Sequence, residues 1–160
     1  MIPIMLRPSQ FLAVAIAASL IGLTACHPPA GEQGAKVTHE FPAGSPDFLT
    51  SFEAATAAAK STGKPALLVF SAAWCPPCQA MKKGVYPSDE VKPYHDKFVW
   101  AYLDIDNPSN NAAANQFSVN GIPHIQILSS SGKALDKKIG GTTPEDFAKF
   151  LHDALDLAGR

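Results

Sequence analysis

From Phe48 onward the apolar positions fall into short periodic runs. Phe48, Leu49, Phe52, Ala55 and Ala59 recur at helical spacing, which predicts an amphipathic helix. Its start signal is Ser45-Pro46-Asp47, a capping hydroxyl followed by proline and a carboxylate in the first turn; Gly63 is its stop. Pro65 to Ser71 is an almost unbroken apolar run, the pattern of a strand covered on both faces. After Trp74-Cys75-Pro76-Pro77-Cys78 a short helix is expected from about Pro77 to Lys83, broken by Gly84 and Pro87. Ser88-Asp89-Glu90 reads as the cap of a second helical piece carrying Val91 and Tyr94, with Pro93 in its first turns or at its end. Phe98 to Ile105 is a second buried strand, and Asp106-Asn107-Pro108 turns the chain into an Ala-rich helix near Ser109 to Phe117. A strand at His124 to Leu128, a hairpin turn at Ser129-Ser130-Ser131-Gly132 and a return strand at Lys133 to Ile139 follow. Thr142-Thr143-Pro144-Glu145 opens the last helix, whose apolar stripe is Phe147, Phe150, Leu151, Ala154, Leu155 and Ala158.

The first half of this order alternates as parallel βαβ units, and the second ends in a hairpin and a covering helix. The expected class is α/β: a central mixed sheet flanked by helices on both faces.

The N-terminal pattern is different. Arg7 is the sole charged side chain before Cys26, and an apolar run follows from Phe11 to Leu23. That run is too short for a comfortable membrane span and suits the h-region of a signal peptide. It ends in Leu23-Thr24-Ala25-Cys26, which resembles the lipobox of bacterial lipoproteins. The resemblance implies that residues 1–25 are removed and that Cys26 is lipidated; the alternatives are an ordinary signal peptide or a buried N-terminal helix. Residues 26–44, rich in Pro, Gly and small side chains, read as a flexible tether, although Lys36 to Phe41 alternates weakly like a short β segment. The folded domain is expected over residues 45–160.

With 160 residues, 13 basic and 14 acidic, the chain is long enough for one core and lacks the basic footprint of nucleic-acid binding. The cysteines are Cys26, Cys75 and Cys78. A strand that ends in Cys-x-x-Cys and then turns helical places the first thiol where unpaired N–H groups and the helix dipole favour a thiolate, the nucleophilic form. Dithiol–disulfide exchange is therefore expected at Cys75 and Cys78. A structural zinc would need two further ligands, and neither a second Cys-x-x-Cys nor a His pair is present. Cu(I) gripped by the two soft thiolates is the reading of another class. Asp104-Ile105-Asp106-Asn107 lacks the glycine and glutamate of a calcium loop.

Trp74-Cys75-Pro76-Pro77-Cys78 after a buried strand, together with Gly121-Ile122-Pro123 before another, resembles the thioredoxin superfamily from Ser45 to Arg160. Lys64 to Asp106, including Ser88-Asp89-Glu90-Val91, is most similar to the thioredoxin-like domains that end membrane thiol–disulfide interchange proteins. The resemblance implies a thioredoxin fold, a thiol:disulfide oxidoreductase without cofactor, an exposed Cys75 as attacking thiolate and Cys78 as resolving thiol. It also implies a cis bond before Pro123, an Ile122 backbone free to pair with a substrate strand, and a site walled by Trp74, Pro76 and Pro77; plain core packing is the alternative for Trp74. The implied partners are protein disulfides or dithiols and a membrane electron donor with its own cysteine pair. With the lipobox, the chain is expected to be exported and anchored facing the periplasm, on the outer membrane because His27 rather than Asp follows Cys26. An oxidase or isomerase of disulfides, and a non-enzymatic docking module, are the remaining alternatives.

Two departures from the family pattern bear on mechanism. Thioredoxin-like reductases commonly bury an Asp on the strand ahead of the motif and a Lys on the next strand; Val69 and Tyr102 stand at those positions. Pro76 and Pro77 supply no backbone N–H, so the Cys75 thiolate loses a donor and the pair is expected on the reducing side. His124, next to Pro123, is a candidate electrostatic tuner, with a surface or internally satisfied role as the alternative.

Overall fold

The computed structural model describes residues 40–159. Five strands form one mixed sheet in the order β1-β3-β2-β4-β5. β1 (Phe48–Leu49) and β2 (Ala66–Ser71) run parallel to β3 (Val99–Asp104), whereas β4 (His124–Leu128) is antiparallel to β2 and to β5 (Ala134–Ile139). The helices are α1 (Phe52–Thr62), α2 (Pro76–Gly84), α3 (Asn111–Gln116) and α4 (Pro144–Ala158). This is the α/β arrangement that the apolar periodicity predicts.

The two faces of the sheet carry separate cores, because successive strand side chains alternate between faces. Leu67, Val69, Ile125 and Ile127 pack with Met81 and Val85 of α2 and Phe147 and Leu151 of α4. Leu68, Phe70, Ala101 and Leu103 pack with Ala55 and Ala59 of α1 and Ala113 of α3. Every residue of β2 is buried, which explains its unbroken apolar run.

The first helix begins later than Ser45-Pro46-Asp47 suggests. Its cap is Ser51, in extended conformation, whose hydroxyl accepts from Ala54 N at 3.0 Å. Phe48 packs into the α2/α4 core and Leu49 against the α1/α3 core, and side chains that split between faces mark a strand rather than a helix. Gly63 closes α1 with a φ of 72°, as its position predicts. The helical piece expected after Ser88 is a single 3-10 turn, Lys92–Tyr94, containing Pro93. Phe41, ahead of the expected start of the domain, stacks on Phe48 at 4.3 Å and meets the edge of Tyr102 at 5.2 Å.

Candidate active site

The chain leaves the sheet after Ser71, and Cys75 becomes the cap of α2. Pro76 and Pro77 occupy the first helical positions, where a missing N–H breaks no intrahelical bond. Cys75 Sγ accepts from Cys78 N at 3.4 Å, in the place a serine or aspartate oxygen takes at ordinary helix starts. Cys75 and Cys78 are joined by a disulfide, with their Cα atoms 5.3 Å apart.

Both cysteines are covered. Cys75 retains 3% and Cys78 1% of its surface, against Ala72, Ile105 and Ile122. Cys75 is therefore not the exposed sulfur that its place at a helix start suggests, because apolar side chains from the ends of β3 and the β4 approach close over it. Cys75 Sγ also lies 3.7 Å from the Ile122 carbonyl oxygen. A thiol can donate to that oxygen; a thiolate is repelled by it. In the disulfide form a single backbone N–H thus faces the Cys75 sulfur, with a carbonyl oxygen beside it.

The surroundings form a partly apolar rim. Trp74 is 64% exposed, and its indole N–H donates to Asp106 Oδ2 at 2.8 Å, so it is not a core residue. Pro76 and Pro77 are exposed. The Ile122-Pro123 peptide is cis, with Pro123 buried and Ile122 half-buried. Pro123 O accepts from Gly140 N at 2.8 Å, which fastens the start of β4 to the turn after β5. That turn passes close to the motif: a Cβ on Gly141 would lie 3.4 Å from the Pro77 Cβ.

Ile139 belongs to the same rim and escaped the sequence reading. It is 55% exposed, and a Cβ on Gly121 would meet its Cγ2 at 3.8 Å. Its signal in the sequence is weak: an isoleucine after Asp136-Lys137-Lys138, followed by Gly140-Gly141.

Val69 and Tyr102, the two departures, are direct neighbours in the β2–β3 register. Val69 is fully buried. The Tyr102 hydroxyl is hydrogen-bonded to Ser71 Oγ. Burial pushes the Tyr102 pKa up, and its bonds to Ser71 and Gln79 offset part of that rise. Gln79, the residue after Cys78, donates from Nε2 to Ala72 O at 3.2 Å. A buried valine and a neutral tyrosine thus stand at the two positions of the family's ion pair, and the tyrosine hydroxyl is met by Ser71 and Gln79.

His124 is fully buried, edge-on to Phe70 at 5.8 Å, with no hydrogen-bond partner for either ring nitrogen. It is not a surface histidine. Burial holds its pKa below the ordinary histidine value; Gln126 pulls the other way, and Lys137 adds to the lowering. The fold therefore favours the neutral ring. Its contribution to stability is complete above the unfolded pKa of about 6.5 and declines as pH falls below it, until the folded pKa is reached. One proton gives a limiting slope of about 1.4 kcal/mol per pH unit. Urea titrations from pH 7.5 to 5 are expected to show this decline, and His124→Leu to remove it.

Among the described residues no group of three or more His, Cys, Asp and Glu side chains is placed to hold a metal ion. No described helix is long and apolar enough to cross a membrane. Cys26, with the proposed signal peptide and most of the tether, lies outside the described residues.

A family model described as Thioredoxin-like domain matches residues 52–155. The chloroplastic thioredoxin-like protein HCF164 of Oryza sativa subsp. japonica is 31% identical over 100 residues, covering 62% of this chain and 36% of that protein. The thiol:disulfide interchange protein DsbD of Pseudoalteromonas atlantica is 33% identical over 89 residues, covering 54% of this chain and 15% of that protein. The chain thus spans about a third or less of the length of these curated relatives. The oxidised C-terminal domain of DsbD from Neisseria meningitidis superposes with a TM-score of 0.56 at 21% identity, covering 67% of this chain and 98% of that domain. At that identity the superposition speaks for the fold.

Proposed function

The chain belongs to the thioredoxin-like family, and from that premise we propose that it is a thiol:disulfide oxidoreductase of the cell envelope that reduces protein disulfides through Cys75 and Cys78. The observation that carries this reading is the setting of the pair: a disulfide at the start of α2, between the half-buried Ile122 and an exposed apolar rim.

In the reducing direction the Cys75 thiolate attacks one sulfur of a substrate disulfide. The substrate S–S bond breaks, one substrate thiolate leaves, and Cys75 is held in a mixed disulfide. Cys78 then gives up its proton and attacks Cys75 Sγ, releasing the second substrate thiolate and forming the Cys75–Cys78 disulfide. Two electrons pass to the substrate, and a donor with its own dithiol restores the pair by the same steps in reverse. Trp74, Pro76, Pro77, Ile122 and Ile139 form the surface against which the substrate segment lies, with Pro123 beneath it and the Ile122 backbone available for strand pairing.

The contacts of the Cys75 sulfur, one N–H donor and one carbonyl oxygen, support the reducing direction. A poorly stabilised thiolate makes the dithiol form less stable relative to the disulfide, and such a pair is a reductant. A lipid on Cys26 would keep the protein at a periplasm-facing membrane surface, the outer membrane by the identity of His27, where a membrane electron donor supplies reducing equivalents. Equilibration of the purified protein with glutathione buffers tests the reading. The disulfide is expected to persist in buffers that reduce strongly oxidising pairs; ready reduction there would favour the oxidase alternative.

A further inference from the structure

We propose that the Gln79 side chain is a positioning residue for the redox pair, tying the segment that presents Cys75 to helix α2 and to the sheet. The proposal rests on the reading of Cys75 as the attacking thiol.

The segment from Ala72 to Cys75 has few internal restraints. The Ala72 carbonyl accepts from Cys75 N at 3.3 Å and from Gln79 Nε2 at 3.2 Å. Gln79 N in turn donates to Cys75 O at 3.1 Å. One residue thus grips both ends of the turn, its first residue through the side chain and its last through the backbone. The amide is held in its turn, because the Gln79 side chain reaches the Tyr102 hydroxyl on β3, and that hydroxyl is bonded to Ser71 at the end of β2. The turn, the active-site helix and two adjacent strands are joined through a single uncharged side chain.

The prolines give this clamp its leverage. Helix starts ordinarily offer several free N–H groups to an anion. Pro76 and Pro77 have none, so Cys78 N is the main-chain donor that meets Cys75 Sγ, at 3.4 Å. A small shift of the turn lengthens that contact and brings the sulfur under the influence of the Ile122 carbonyl, 3.7 Å away. Gln79 therefore acts on the acidity of Cys75 without touching its sulfur.

A glutamate at this position keeps the size and shape of glutamine but cannot donate to Ala72 O when ionised. Gln79→Glu and Gln79→Ala should both slow alkylation of reduced Cys75 by iodoacetamide near neutral pH, by about twofold to tenfold, the range of one lost hydrogen bond. The midpoint of the alkylation–pH profile, read at Cys75 by peptide mass in the full chain, should move to higher pH. Tyr102→Phe should move it the same way, and the Gln79→Ala, Tyr102→Phe double variant no further than the larger single change, because both act through one connection. If Gln79→Ala fails to fold, Gln79→Glu and Tyr102→Phe give the same reading. Wild-type Cys75 that reacts no faster than Cys78 at any pH would overturn the proposed function itself. A fast wild-type Cys75 with unchanged profiles in the Gln79 variants, or additive shifts in the double variant, would overturn the positioning role alone.

Discussion

Cys78→Ala is expected to arrest the protein as a mixed disulfide with its substrates, and Cys75→Ser to abolish exchange altogether. The two outcomes differ because the sulfurs have different tasks. Both sulfurs are covered, but Cys75 caps α2 next to the exposed Trp74, Pro76 and Pro77, whereas Cys78 lies inside the first turn. Without Cys78 the first attack still occurs, but its product persists. Well-oriented neighbouring groups reach effective molarities on the order of 10⁵ M, which no dissolved thiol at millimolar concentration can match. Release should therefore slow by several orders of magnitude, and non-reducing gels should show Cys75 captured in adducts. Without Cys75 no such adduct should form, even though Cys78 remains. Adduct formation by Cys75→Ser at a rate similar to that of Cys78→Ala would mean that the roles are exchanged or that the buried sulfur is reached directly.

Phe147→Ala should be among the most destabilising single changes in the domain. Phe147 is fully buried on α4 and packs against Tyr86 at 5.8 Å, Trp100 at 6.3 Å and Phe150 at 6.1 Å. Truncating a buried Phe removes its transfer free energy and leaves a cavity, together about 3–5 kcal/mol. Rigid rings from the turn after α2, from β3 and from α4 itself line that space, so it cannot easily collapse. In a domain of this size Tm should fall by more than about 10 °C. Trp74→Ala makes the contrast: its ring is 64% exposed, and the loss should stay under about 1 kcal/mol while substrate exchange suffers. Denaturant titrations of both variants check the pair, and a larger loss for Trp74→Ala would mean that the rim, not the α4 seam, holds the fold together.

The strands and the active-site helix were legible because their signals are local. An unbroken apolar run marks β2, alternation with a Ser-Gly turn marks the β4–β5 hairpin, and Thr143 with Pro144 marks the start of α4, where the Thr143 hydroxyl accepts from Asp146 N at 3.2 Å. The N-terminal segment misled for an equally local reason. Ser45-Pro46-Asp47 has the composition of a helix cap, but pairing of Phe48 and Leu49 with β3 is a long-range contact that no short window contains. The Val69–Tyr102 juxtaposition could be inferred only through the family pattern, and the structure places the two side by side. The polar contacts around the Tyr102 hydroxyl could not be read at all. Ser71, Gln79 and Tyr102 come from three different elements, and each alone is an ordinary polar residue. The burial of Cys75 and the exposure of Ile139 were hidden in the same way, since both depend on how the end of β5 and the Ile122 turn close around the motif.

An exchange centre at Cys75 and Cys78 that is poised to reduce should show itself in the reduction potential of the full chain, obtained by equilibration with glutathione buffers and quantified by alkylation of the two thiols. With one N–H donor and a carbonyl facing Cys75, the pair should lie near the reducing end of the family's range, at about −270 mV and below the roughly −200 to −230 mV of glutaredoxins. A potential near about −120 mV, the value of a strong disulfide donor, would contradict the account.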